Sequence, residues 1–194
     1  VNQLGIVRGP LQTFQPLQLG WTGKSEVRTL TTAEWIGGLL PLERSALLCG
    51  FYLNELLLRL LPREDPHEAL FDVYTETLKS LAANPQDSAH ILRKFELGFL
   101  QALGYAVPLI HNVRDESVQA DQQYFYVPEV GPVSLKHDYQ ENGVQLAGKT
   151  LLDMANNDYS DSQTQQQSKQ LMRLLMAHYL GEQPLHTRQL LMDI

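Results

Sequence analysis

The chain has 194 residues, with 15 Lys and Arg against 22 Asp and Glu for a formal charge of −7, 43% hydrophobic residues and one cysteine. This length allows one large domain or two to three small ones around a real core. The lone Cys49 excludes a disulfide framework and a cysteine-rich zinc site, the acidic balance argues against a general-purpose nucleic-acid binder, and no apolar run reaches the roughly 18 residues of a transmembrane helix.

Residues 1–30 are rich in Gly, Gln, Thr and Pro. The alternation in Pro16–Trp21 and in Ser25–Leu30 predicts two half-buried strands, with Thr22-Gly23-Lys24-Ser25 as the turn between them. Two strands alone are marginal, so a larger small sheet or barrel is expected. From Thr31 the pattern reads as helical, with Thr31, Thr32 and Glu34 as helix-start residues. Leu42 to Leu61 is a long apolar run ended by Pro62 and predicts a helix central to its bundle. Asp65-Pro66-His67-Glu68 supplies a cap, a first-turn proline and a carboxylate, placing a second helix from about Pro66 to Ala82. Asp87 or Ser88 starts a third, which Gly104 is positioned to close. Residues 106–147 lose this periodicity, apart from a candidate strand at Tyr124–Val127. Helices are expected at Lys149–Ala155, Ser162–Leu180 and His186–Met192.

Charge is uneven along these segments. Residues 1–30 hold Arg8, Lys24 and Arg28 against Glu26 alone, whereas residues 31–105 and 106–194 are net acidic. The six histidines are scattered and form no zincin motif. Gly143–Thr150 satisfies the G-x-x-x-x-G-K-S/T pattern, but its interior is Val144-Gln145-Leu146-Ala147 and no hydrophobic strand precedes it, so a strand running into a capped helix is the better reading. Cys49 sits among Leu47, Leu48, Phe51 and Tyr52 and reads as a buried, inert thiol. Asn54 and Glu55 interrupt the most apolar helix, which fits polar groups bonded to a groove or to neighbouring backbone. Arg93-Lys94 precedes Phe95, Leu97, Phe99 and Leu100: either a solvated helix face, or two cations holding an acidic peptide whose apolar tip enters a pocket. Lys169 and Arg173, four apart, with Arg188 beyond, are open to phosphate contact or to a decorative surface role.

Four segments, in order, resemble one family. Gly50-Phe51-Tyr52-Leu53-Asn54-Glu55-Leu56-Leu57-Leu58-Arg59-Leu60-Leu61 resembles the G-L-Y-x-N-E-L-L-x-R-L-L signature of the RecO family, bacterial recombination mediators of DNA repair. Gly9–Leu17 is similar to G-x-L-Q-P-F-x-P-L, with Thr13 in place of the proline. Leu92–Leu97 with Leu103-Gly104-Tyr105 resembles L-R-x-F-E-L and L-G-Y, and Tyr179–Leu190 resembles Y-L-G-x-x-P-L-x-S-R-x-L.

The resemblance implies an α+β, mostly helical fold: the remainder of an N-terminal OB-fold β-barrel at 1–30, a central helical domain at 31–105, and a small C-terminal α/β region at 106–194. It also implies that opening barrel strands and a basic loop lie ahead of Val1. The four zinc-binding cysteines of many relatives have no counterpart in 106–147, so packing takes over that role and neither metal nor cofactor is expected. The implied function is non-enzymatic and cytoplasmic, at the nucleoid. It comprises binding single- and double-stranded DNA and the acidic tail of single-stranded DNA-binding protein, annealing strands, and loading the RecA recombinase with RecR. The implied DNA contacts are Arg8, Lys24, Arg28, Lys149, Lys169, Arg173 and Arg188, with Trp21 as a stacking aromatic. Arg93 and Lys94 are the implied tail-binding pair. A helical adaptor that keeps the fold but binds little DNA is the alternative, motivated by the acidic balance and the missing cysteines.

Overall fold

The computed structural model describes residues 13–38, 40–63, 65–135, 142–181 and 185–187. Among them the fold is mixed α/β, with five α-helices and two small antiparallel sheets. Strands β1 (Leu17–Thr22) and β2 (Thr29–Trp35) form a hairpin. Helices α1 (Arg44–Leu60), α2 (Glu68–Ala83) and α3 (Ser88–Ala102) follow, a 3-10 turn at Pro85–Asp87 leading into the last. Strands β3 (Gln123–Val127), β4 (Gly131–Ser134) and β5 (Val144–Ala147) form a sheet of order β4-β3-β5. Helices α4 (Gly148–Ala155) and α5 (Ser162–Leu180) complete the described chain. Where a barrel remainder is expected, the described residues hold the two-stranded hairpin and no closed barrel.

The expected helix start at Thr31 is corrected by β2. Thr32 pairs with Gly20, Ala33 with Leu19 and Glu34 with Gln18. Threonine serves helix caps and strands alike, and its β-branched side chain suits the pleated backbone once a partner strand is present. The hairpin reaches the helices through Phe14, whose ring meets Phe51 edge-on at 5.2 Å. It also lies over Gly50, where a Cβ would come within 2.8 Å of Phe14 Cζ.

Helix α1 turns Ala46, Cys49, Leu53 and Leu56 inward at three- and four-residue spacing and is buried on that stripe. It stops before Pro62 because Leu61 is already extended, as the residue ahead of a proline prefers. The expected Asp65 cap is not made: α2 begins at Glu68, and the Asp65 carboxylate instead sits 3.2 Å from the His67 ring. Helix α3 closes as expected. Gly104, at φ 83°, lets the Tyr105 amide donate to Leu100 O and its own amide to Gln101 O.

One continuous core runs from α1 and α2 through α3 to α5 and the sheet, including Leu53, Leu81, Phe99, Tyr126, Leu146, Leu171 and Leu175. Helix α5 keeps its expected bounds because Asp161 accepts from the Gln163 and Thr164 amides at its start. The expected helix at His186–Met192 is seen at His186 and Thr187, and its remainder lies outside the described residues.

Candidate nucleic-acid and peptide sites

The β1–β2 turn presents Lys24, Ser25, Glu26 and Arg28 to solvent. Lys24 and Arg28 line one cleft with Glu26 and with Arg63, which comes from the loop after α1. Arg63 donates to Glu26 Oε1 at 3.0 Å, with the two side chains 89% and 81% exposed. Register places Leu17, Leu19 and Trp21 on one face of the hairpin with Ala33 and Trp35 opposite. Trp21 and Trp35 are 54% and 60% exposed, and the Trp35 indole N–H donates to Gln15 Oε1. Exposed tryptophans beside cations are the elements of a single-strand stacking platform. Arg8 lies outside the described residues.

Arg93 and Lys94 are neighbours on α3 that face different surroundings. The Arg93 guanidinium, 15% exposed, pairs with Glu96 one turn on, and the Glu96 carboxylate, 1% exposed, also accepts from the Tyr52 hydroxyl of α1. A carboxylate buried without such partners is costly to the fold. Lys94 is turned to a cavity of about 930 Å³ between α2, α3 and the segment 107–110. The floor of this cavity includes Phe95, Leu97, Val107, Leu109 and Met154, and its rim carries Asp72, Glu76 and Asp87 beside Lys94.

The three remaining described residues of the expected DNA contacts lie elsewhere. Lys149 pairs with Asp153 at 2.5 Å and Asp161 at 3.1 Å; the hydrogen bonds it donates to these two carboxylates raise its pKa. Lys169 and Arg173 are exposed on α5, four residues apart and away from the buried face of Leu171, Met172 and Leu175. Arg188 lies outside the described residues.

The phosphate-loop resemblance at Gly143–Thr150 dissolves on inspection of the backbone. The Gly148 amide donates to Gln122 O at 2.7 Å and the Lys149 amide to Ala120 O at 3.1 Å, so neither faces a ligand. A Cβ at Gly148 would stand 1.9 Å from Gln119 O, which makes the glycine a packing requirement. The Thr150 hydroxyl is buried and donates to Gln167. The segment is a strand running directly into a helix.

Cys49 is buried, and its burial pushes the thiol pKa up despite a hydrogen bond with Ser88. Asn54 accepts from the Tyr74 hydroxyl of α2. Glu55 does more: it accepts from the His186 amide, the Thr187 amide and the Thr187 hydroxyl, and pairs with Arg59 at 2.9 Å. Burial works to raise its pKa, but the Thr187 and His186 bonds and the Arg59 charge hold it below the ordinary carboxylate value. Glu55 thereby clamps the start of the last segment onto α1. Sequence reasoning missed this clamp, the buried role of Glu96 and the presence of Arg63 at the hairpin. Of these only the Arg93–Glu96 spacing of three left a local signal.

Residues 42–189 match the family described as "Recombination protein O C terminal". The chain is 52% identical over 188 residues to the DNA repair protein RecO of Nitrosospira multiformis, covering 96% of this chain and 77% of that protein. It is 50% identical to the RecO proteins of Paraburkholderia xenovorans and Burkholderia pseudomallei, covering 97% of this chain in each case and 62% and 68% of their lengths. With the four ordered motifs and a family match across most of its length, this chain belongs to the RecO family.

Proposed function

We propose that the chain serves DNA repair as a recombination mediator that acts by binding, without catalysis. In this reading the hairpin, as part of an OB-fold, takes single-stranded DNA, with Lys24 and Arg28 on phosphates and Trp21 under a base. Arg8, Lys169, Arg173 and Arg188 extend the contact to further phosphates, including those of duplex DNA. Lys149 joins them only by giving up Asp153 and Asp161. The observation that carries the reading is the hairpin itself: in a chain of charge −7, its exposed turn gathers Lys24 and Arg28 in one cleft and its strands expose Trp21 and Trp35. Titration of a fluorescent single-stranded oligonucleotide at increasing salt tests it, with a falling affinity expected and a flat response against it.

The second element of the proposal is the cavity beside Lys94. Its apolar floor suits the hydrophobic end of an acidic tail, that of single-stranded DNA-binding protein, while Lys94 meets carboxylates and Arg93 joins it only by giving up Glu96. RecR and, through it, RecA complete the proposed assembly. Lys94→Ala is the cleaner probe of this element, because removing Arg93 also leaves Glu96 buried without its charge partner. Tail-peptide affinity should fall in Lys94→Ala, and an unchanged affinity removes the cavity from the reading.

The helical adaptor with little DNA binding is favoured by one specific observation. Two of the proposed cations, Arg93 and Lys149, are already engaged by carboxylates within the chain. An oligonucleotide that fails to bind at low salt, while the tail peptide binds, decides for it.

A further inference from the structure

We infer that Arg63 is a phosphate-contacting residue of the hairpin cleft and that Glu26 is its internal competitor, occupying the guanidinium when nucleic acid is absent. This rests on the DNA-binding reading of the hairpin and adds a residue and a form of regulation to it. The cleft, about 560 Å³, is lined by Lys24, Ser25, Glu26, Arg28 and Arg63. Among the described residues it therefore combines three cations with one carboxylate, and the third cation comes from a different element than the other two.

The chemistry of the pair sets its role. Arg63 and Glu26 are both almost fully exposed, and an exposed ion pair of this kind contributes little to stability. A guanidinium presents a planar fork that matches phosphate oxygens in a bidentate manner. A phosphodiester arriving between Lys24 and Arg28 meets three cations, whereas Glu26 is left to solvent in exchange at little cost. Glu26 acts by holding the guanidinium, so the ion pair lowers affinity for any nucleic acid that cannot displace it. A backbone running through the cleft thus touches both the hairpin and the loop after α1. An acidic peptide is the less suited occupant, because among the described residues no hydrophobic side chain lines the cleft, whereas the exposed tryptophans of the hairpin strands offer stacking surfaces to bases.

The test is oligonucleotide affinity against salt for the whole chain and for Arg63→Ala, Glu26→Gln, the double variant and Lys24→Ala. Arg63→Ala should weaken single-stranded binding about two- to fivefold and lower the salt slope by about 0.7. Glu26→Gln should strengthen it, and that gain should vanish in the Arg63→Ala background. If the pair merely tied the hairpin to the helices, both single variants would weaken binding or neither would change it, and either result overturns the inference. A Glu26→Gln gain that persists without Arg63 overturns it too, since the carboxylate then acts by general repulsion. Weakening by Lys24→Ala but not by Arg63→Ala removes Arg63 alone. No salt-dependent binding by the unaltered chain removes the inference together with the reading beneath it. An acidic peptide that loses affinity on Arg63→Ala while the oligonucleotide does not would assign the cleft to that partner instead.

Discussion

In the helical body most large apolar side chains point inward, Leu58 of α1 and Phe71 of α2 being exposed exceptions: Leu53 and Leu56 of α1, Phe99 and Leu100 of α3, and Leu171 and Leu175 of α5 are fully buried. In the hairpin the same residue classes point outward, with Leu19, Trp21, Leu30 and Trp35 all exposed. The body is acidic and fastened by one buried polar joint, Tyr52–Glu96–Arg93, and two half-buried ones, Asn54–Tyr74 and Glu55–Thr187. Among the described residues the hairpin is cationic at its turn and fastened to the body through Phe14 and the exposed Arg63–Glu26 pair. Stability and nucleic-acid affinity should therefore separate: changes in the body lower stability, and changes in the hairpin lower binding.

The largest expected effect is at Glu96. Glu96→Ala leaves Arg93 without its buried partner and should destabilise the fold by about 3–5 kcal/mol, read as a lowered midpoint in denaturant. A loss under about 1 kcal/mol would mean that this joint is not part of what holds the body together. Next is Gly148→Ala, where the added methyl meets the Gln119 carbonyl; overpacking against backbone should cost about 2–3 kcal/mol. Because the neighbouring amides are taken by protein carbonyls, ATP should not raise the melting temperature of the unaltered chain.

A smaller effect is expected at Glu55, whose clamp is partly exposed. Glu55→Ala should cost about 1–2 kcal/mol and speed proteolysis of the C-terminal segment. Its pKa is lowered on folding from the ordinary 4.5, so the unfolded chain binds the proton more readily. The clamp's contribution is fully present above that value and is lost as pH falls through the lowered folded value. Glu55→Gln should flatten this part of the stability–pH curve below about 4.5, and an unchanged curve would move the acid sensitivity elsewhere. The smallest effect on stability belongs to the hairpin: Trp21→Ala should change the unfolding free energy by less than about 0.5 kcal/mol while weakening oligonucleotide binding. A large loss of stability there would erase the distinction between the two regions.

What was legible in the sequence follows from how local each signal is. The bounds of α5 could be read because Asp161 and Gly181 mark its two ends within a residue. The Gly104 cap is written in one turn of chain. Thr31–Glu34 was misread because a strand depends on a partner, here Gln18–Gly20, that no local pattern reveals. Asp65 was misread because its carboxylate found the His67 ring in place of the helix amides. At the candidate sites, Lys24 and Arg28 were visible from the charge of one short segment, and both lie in one cleft. Arg63 was invisible because only the folding of the loop after α1 brings it to the hairpin. The inward turn of Arg93 depends on the burial of Glu96 between α3 and α1, a property of packing that composition does not carry.

The separation of roles is tested most directly by one paired measurement on the Lys24→Ala/Arg28→Ala variant: the salt slope of single-stranded oligonucleotide binding, with the melting temperature taken on the same sample. The account predicts a slope reduced by about 1.4 and an unchanged melting temperature. An unchanged slope, or a lost affinity accompanied by a fall in melting temperature, would contradict it.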